Sequence, residues 1–90
     1  MNIEYDENKN RENIAKHGLS FEEAQQLDWE SALIIEDNRQ DYGEKRFRAM
    51  ALLGNRLTVF VFTLRQNNIR AISFRKANKR EINQYVKNIT

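Results

Sequence analysis

The order of apolar and polar positions changes character once along this chain, near residue 32. Before that point apolar residues are sparse and spaced for helices. Glu7 to His17 reads as a short polar helix, closed by Gly18 at the position after the last turn, where a left-handed backbone is wanted. Ser20 opens a second short helix: Glu23, three residues on, completes a capping box, and Phe21, Ala24 and Leu27 form the apolar side. Ahead of both, Asn2 to Tyr5 leaves room for a first strand. After residue 32 the period becomes that of strands, over Ala32–Glu36, Glu44–Leu53, Arg56–Arg65 and Ile69–Arg75. The chain closes with a helix from about Ala77 to Ile89, whose Ile82, Tyr85, Val86 and Ile89 repeat at helical spacing and are expected to pack on the sheet. The pattern predicts one domain of the α+β class. Its antiparallel sheet is a meander of three to four strands plus a possible N-terminal strand, with two short N-terminal helices and a C-terminal helix.

Gly54-Asn55 and Asn67-Asn68 are two-residue connections made of residue types that tolerate positive φ, so both predict tight hairpins. Two-residue turns fix the register and hence the neighbours of each side chain. One face then carries Phe47, Ala49, Ala51, Leu53, Phe60, Phe62 and Ala71, together with Ser73 and Arg75, and is the expected seat of the helices. The opposite face is apolar at one end, with Met50, Leu57, Val59, Ile72 and Phe74, and charged at the other. There Glu44 falls opposite Arg65, and Arg65 opposite Arg70, with Arg46, Thr63 and Arg48 close by. Like charges directly across a strand pair destabilise it, and a bound phosphate would relieve them through bidentate contacts. An exposed ion pair with a spare arginine turned to solvent explains the same pattern without a ligand.

Composition narrows the chemistry. The 90 residues contain no cysteine and a single histidine, which leaves too few soft ligands for a zinc or copper centre, although a carboxylate-held Mg²⁺ stays open. No cofactor is expected. The longest apolar run, Ala49 to Leu53, is far too short to span a bilayer, and Met1-Asn2-Ile3-Glu4 lacks the basic and apolar regions of a signal peptide. A cytoplasmic protein without membrane partners is expected. The net charge of +2 hides an asymmetry: residues 1–45 carry five Lys/Arg against twelve Asp/Glu, and residues 46–90 carry ten against one. The basic half can meet a nucleic acid and the acidic half a basic partner, or the two halves can pair within the fold.

Several single residues admit two readings each. His17 has an intrinsic pKa suited to proton transfer near neutrality, and its place in the last turn before Gly18 equally suits helix capping. Lys16 can hold a phosphate or be a solvated helix-end lysine. Ser73 falls among apolar residues with no base paired to it in sequence, which favours a buried hydrogen-bonded hydroxyl. Arg75 can anchor the last helix or reach substrate. Trp29, near Leu27 and Leu33, reads as core or partner interface. Lys76, Lys79, Arg80 and Lys87 of the last helix default to a solvated face.

These residues also carry a resemblance. The stretches Asn13-x-x-Lys16-His17-Gly18-Leu19-x-Phe21-Glu22-Glu23-Ala24, Asp41-x-Gly43-Glu44-x-Arg46, Thr63-x-Arg65, Ile69-Arg70-x-Ile72-Ser73-x-Arg75-Lys76-Ala77 and Arg80-Glu81-x-x-x-Tyr85 resemble BrnT, a bacterial type II toxin family related in fold to RelE and ParE. The similarity covers nearly the whole chain. It departs at Tyr5, Leu64 and Phe74, the last two bringing apolar side chains beside the proposed site. What the resemblance implies is a metal-independent endoribonuclease that slows translation until its antitoxin, BrnA, wraps it. The antitoxin supplies the DNA-binding domain through which the complex meets its own operator.

Such cleavage needs a base for the 2′-hydroxyl, cationic donors for the phosphorane and an acid for the leaving 5′-oxygen. Arg65 and Arg70, with Arg46 or Arg75 nearby, are the expected phosphate ligands. Glu44 is the candidate base and His17 the candidate acid or second base, with Lys16 a further substrate contact. A non-catalytic RNA-binding module, or a protein acting only as the antitoxin's partner and corepressor, fits the same sequence.

Overall fold

The computed structural model describes residues 2–89. Its elements are β1 (Ile3–Glu4), α1 (Glu7–His17), a 3₁₀ helix (Phe21–Gln26), β2 (Leu33–Glu36), β3 (Arg46–Leu53), β4 (Arg56–Arg65), β5 (Asn68–Lys76) and α2 (Lys79–Ile89). The strands form one sheet in the order β1-β5-β4-β3-β2. β2 to β5 make the antiparallel meander, but β1 runs parallel to β5, with Ile3 opposite Ile69 and Glu4 opposite Arg70. The sheet is therefore mixed, not antiparallel throughout as the pattern predicts. A parallel neighbour needs a long crossover, and everything from α1 to β4 supplies it.

The helix ends follow the local signals. Asp6 Oδ1 accepts the N–H groups of Asn8 and Lys9 at 2.7 and 3.3 Å, and Gly18, at φ 74°, closes α1 by donating to the Ile14 carbonyl at 2.8 Å. Ser20 and Glu23 form the capping box, although the helix they start is six residues of 3₁₀ geometry. α1 has no apolar stripe to bury and docks through two buried asparagines instead. Asn13 Nδ2 donates to the carbonyls of Leu19 and Phe74, both at 2.8 Å, and its Oδ1 accepts the Phe74 N–H at 3.1 Å. One side-chain amide thus satisfies the edge of β5 where β1 has ended. Asn10 Oδ1 likewise accepts the Phe21 N–H at 2.8 Å and ties α1 to the 3₁₀ helix.

The sheet has two buried faces. On the first, Phe21, Ala24 and Leu27 cover Ala49, Phe60, Phe62 and Phe74, and Trp29 lies edge-on to Phe60 and Phe62 with its Nε1 donating to the Ala24 carbonyl at 3.1 Å. Trp29 is core. On the second, Tyr85 of α2 packs with Met50, Leu57, Val59 and Val61, and its hydroxyl donates to the Ser31 carbonyl at 3.0 Å. α2 therefore covers the face opposite to the expected one, because the 3₁₀ helix and Trp29 already fill the phenylalanine face. Its apolar stripe is only partly used: Ile82 and Ile89 remain 42% and 57% exposed. No helix among the described residues is long and apolar enough to cross a membrane.

The β3–β4 register is the predicted one, from Arg46 opposite Thr63 to Leu53 opposite Arg56. The β4–β5 register is not. The turn is Gln66-Asn67, with φ of 50° and 71°, so Arg65 faces Asn68 and Arg70 faces Thr63. This shift places the two arginines on a diagonal and removes the direct like-charge opposition, at the expense of Gln66 in the left-handed region. Further along, Phe62 faces Ala71 but Val61 faces Ser73, leaving Ile72 as an extra residue in β5. A regular strand would send Arg70 and Phe74 to the same face. The bulge separates them, sending Arg70 to the second face and fully burying Phe74 in the first. Ser73 and Arg75 change with it and lie on the second face, opposite to the register expected from the turns.

Candidate active site

α2 covers only one end of the second face. The other end is an open cleft of about 260 Å³, walled by Arg46 of β3, Thr63 and Arg65 of β4, Arg70 of β5, Glu44 from the segment before β3, and Asp6 and Lys9 at the start of α1. The side chains reach it for register reasons. Thr63 is the cross-strand neighbour of both Arg46 and Arg70, and Arg65 follows Thr63 on the same side of β4. Thr63 donates its hydroxyl to the Lys45 carbonyl at 2.6 Å, which holds the segment carrying Glu44 against the sheet.

Glu44 stands between two arginines, its Oε2 3.4 Å from Arg46 Nε and its Oε1 3.8 Å from Arg65 Nη2. Arg70 Nη1 lies 3.5 Å from Oε1 of Glu4, which β1 delivers by its parallel pairing. All three pairs are long and solvent-accessible, the kind worth about 0 to 1 kcal/mol. They hold the arginines loosely and leave donors free for an anion.

Arg46 is steadied from behind. Its guanidinium carbon sits 4.1 Å from the Tyr42 ring centroid, and the Tyr42 hydroxyl donates to Asp37 Oδ2 at 3.2 Å. Asp37, buried, also accepts Arg39 Nε and Nη2, each at 2.8 Å. These hydrogen bonds from Arg39 hold its carboxyl far below the usual carboxylate range. Gly43, at φ 73°, lets the same loop turn back into β3.

Lys16 and His17 line a separate, shallower cleft along α1, together with Glu12, Asn13 and Ser73. The two clefts share Lys9 and the bulge residue Ile72. Burial, then the charges of Lys16 and Arg75, push the His17 pKa below its ordinary value. Arg75 lies elsewhere on the face, in a two-pronged pair with Glu81: Nη1 to Oε1 and Nη2 to Oε2, both 2.8 Å. Glu81 also accepts the Asn78 N–H at 2.9 Å while Asn78 Oδ1 accepts the Glu81 N–H at 2.9 Å, a capping box that starts α2. The bonds from Arg75 hold the Glu81 carboxyl below its ordinary pKa, and Arg48 adds to the effect.

The expected site residues therefore fall into three groups. Glu44, Arg46, Arg65 and Arg70 come together; Lys16 and His17 adjoin them; Arg75 is joined to α2. Phe74 and Leu64 do not face the cleft, since Phe74 is in the core and Leu64 lies on the phenylalanine side of β4. Sequence reasoning missed Lys9, Glu4 and the Asp37–Tyr42 support. Lys9 had a signal, since it precedes Lys16 by seven residues and so shares its side of α1. Asn78-x-x-Glu81 had one too.

Fold and cleft together describe a small α+β protein that presents a cluster of arginines around one carboxylate, a constellation suited to a phosphodiester. A family model for the ribonuclease toxin, BrnT, of type II toxin-antitoxin systems matches residues 5–81, and the chain belongs to that family. Membership makes it a ribonuclease toxin whose partner is an antitoxin. No curated protein matches the chain.

Proposed function

We propose that the chain is a metal-independent endoribonuclease that cleaves RNA in the arginine cleft, by attack of a 2′-hydroxyl on the adjacent phosphorus. The observation that carries this reading is the convergence of Arg46, Arg65 and Arg70 around Glu44 in one open cleft. Arg65 and Arg70 hold the non-bridging oxygens, and their positive charge grows in value as the phosphorane develops. Arg46, stacked on Tyr42, supplies the third cation. Substrate phosphate displaces the weak pairing of Glu44, whose carboxylate then takes the 2′-hydroxyl proton. Lys16 and His17 contact the nucleotide lying in the adjoining cleft, and Arg75 anchors α2.

In the cell this activity slows translation until a BrnA-like antitoxin covers the toxin. The complex meets operator DNA through the antitoxin and represses its own operon. The acidic segments Asp28–Glu30 and Glu36–Asp41 are the landing sites for a basic partner. The test is cleavage of a long purified RNA in EDTA by the isolated protein, with Arg65→Ala in parallel. Cleavage by wild type alone supports the reading. No cleavage by either moves the weight to ribosome-dependent action or to a binding role without catalysis, and equal cleavage by both assigns the activity to a contaminant.

A further inference from the structure

Cleavage by 2′-hydroxyl attack needs a proton for the leaving 5′-oxygen, and the walls of the arginine cleft leave few sources for it. Arginine guanidinium groups do not surrender a proton near neutrality. Thr63 commits its hydroxyl to the Lys45 carbonyl, and Asp6 is the N-cap of α1, its carboxylate accepting two backbone N–H groups. Glu44 takes the other proton of the reaction. His17 lines the adjoining cleft but not this one, and eight residues of helix place it roughly 12 Å along the α1 axis from Lys9. Lys9 is what remains. It is exposed at the start of α1, lines both clefts, and forms no ion pair among the described residues.

We infer that Lys9 is a catalytic residue of this ribonuclease, the general acid that protonates the leaving 5′-oxygen; the inference rests on the function proposed above. The 2′-oxygen bonds to phosphorus as its proton passes to Glu44. The P–O5′ bond breaks with its electron pair going to O5′, and one Nζ proton of Lys9 passes to that oxygen. The products are a 2′,3′-cyclic phosphate and a 5′-hydroxyl, with Glu44 protonated and Lys9 a neutral amine until solvent restores both. The arrangement also gives the RNA a direction. The nucleotide that carries the leaving oxygen continues past Lys9 into the cleft of Lys16 and His17, so the 3′-side product occupies that cleft.

Replacing the bridging 5′-oxygen by sulfur provides the test, because a thiolate leaves without protonation. Wild type, Lys9→Ala, Lys9→Arg and His17→Ala are compared on an RNA with one normal linkage and on the same RNA with a 5′-bridging phosphorothiolate there. The expected result for Lys9→Ala is a loss of roughly 10² to 10⁴ in rate on the oxygen substrate and near wild-type cleavage of the sulfur substrate. Lys9→Arg, which keeps charge but not a transferable proton, is expected to behave like Lys9→Ala. Equal losses on both substrates, or full activity of Lys9→Arg, would show that Lys9 acts only by charge and overturn the assignment. Sulfur rescue confined to His17→Ala would transfer the role to His17. Failure of wild type on both substrates would instead refute the ribonuclease reading itself, and this inference with it.

Discussion

The two ends of the second sheet face hold arginines in contrasting ways. Under α2, Arg75 meets Glu81 through two parallel hydrogen bonds of 2.8 Å, and the Glu81 side chain is only 9% exposed. In the open cleft, Arg46, Arg65 and Arg70 reach Glu44 and Glu4 at 3.4 to 3.8 Å, with the Arg65 side chain 54% exposed. Short, sheltered, bidentate geometry belongs to an arginine whose task is finished when the chain folds. Long contacts to shared carboxylates, with cations in surplus, leave donors available to an anion. Residue type does not separate the two, and the sequence alone leaves Arg75 open between anchoring the last helix and reaching substrate.

The contrast can be broken by substitution at either end. Arg65→Ala should have the largest effect on activity, a loss of roughly 10² or more in RNA cleavage, with the thermal midpoint nearly unchanged because only a weak pair is removed. A matching loss in melting temperature would show that the cleft arginines are structural after all. Glu81→Ala should do the reverse. Removing the cap and the partner of Arg75 should cost about 2 kcal/mol, or roughly 10 °C in the midpoint for a chain of this size, with cleavage per folded molecule preserved at low temperature.

Acid should sharpen the same comparison. Asp37 and Glu81 have folded-state pKa values below their unfolded ones, so their stabilisation is complete above the ordinary carboxylate range near about 4 and is lost as pH falls through the folded values. Melting curves from pH 7 down to pH 3 should show the midpoint dropping, and Glu81→Gln should flatten part of that drop. A smaller effect concerns salt. Arg70→Ala should reduce the slope of log affinity against log salt for single-stranded RNA by about 0.7, the share of one phosphate contact. An unchanged slope would take Arg70 out of the binding site.

Much of the fold could be read locally. Gly18, the Ser20–Glu23 box and the strand periods lie close to the observed element ends, because each depends on residues a few positions apart. The second hairpin could not be read in this way. Asn67-Asn68 is the better turn pair by residue type, yet the chain turns at Gln66-Asn67, where Arg65 and Arg70 escape direct opposition and a bulge at Ile72 lets Phe74 reach the core. That compromise couples the charges at the turn to packing in the core.

The candidate site divides along the same line. Glu44, Arg46, Arg65 and Arg70 were legible because the first hairpin fixes the first three on one face, and the second-hairpin error of two positions kept Arg70 on that face. Arg75 and Ser73 lie beyond the bulge, where one inserted residue reverses the faces. Lys9 entered through the docking of α1 on the edge of β5, a contact made by the Asn13 amide and not by any apolar stripe a pattern could show.

The sequence by itself determined the class of fold, the helix ends, the first hairpin register and the family, all properties of short-range pattern or of motif order. Only the tertiary structure decided which face α2 covers, which arginines are held by an acid and which stay loosely paired, and that Lys9 stands where the two clefts meet. Those outcomes depend on competition between distant groups for the same space and the same partners, and no local spacing records who wins it.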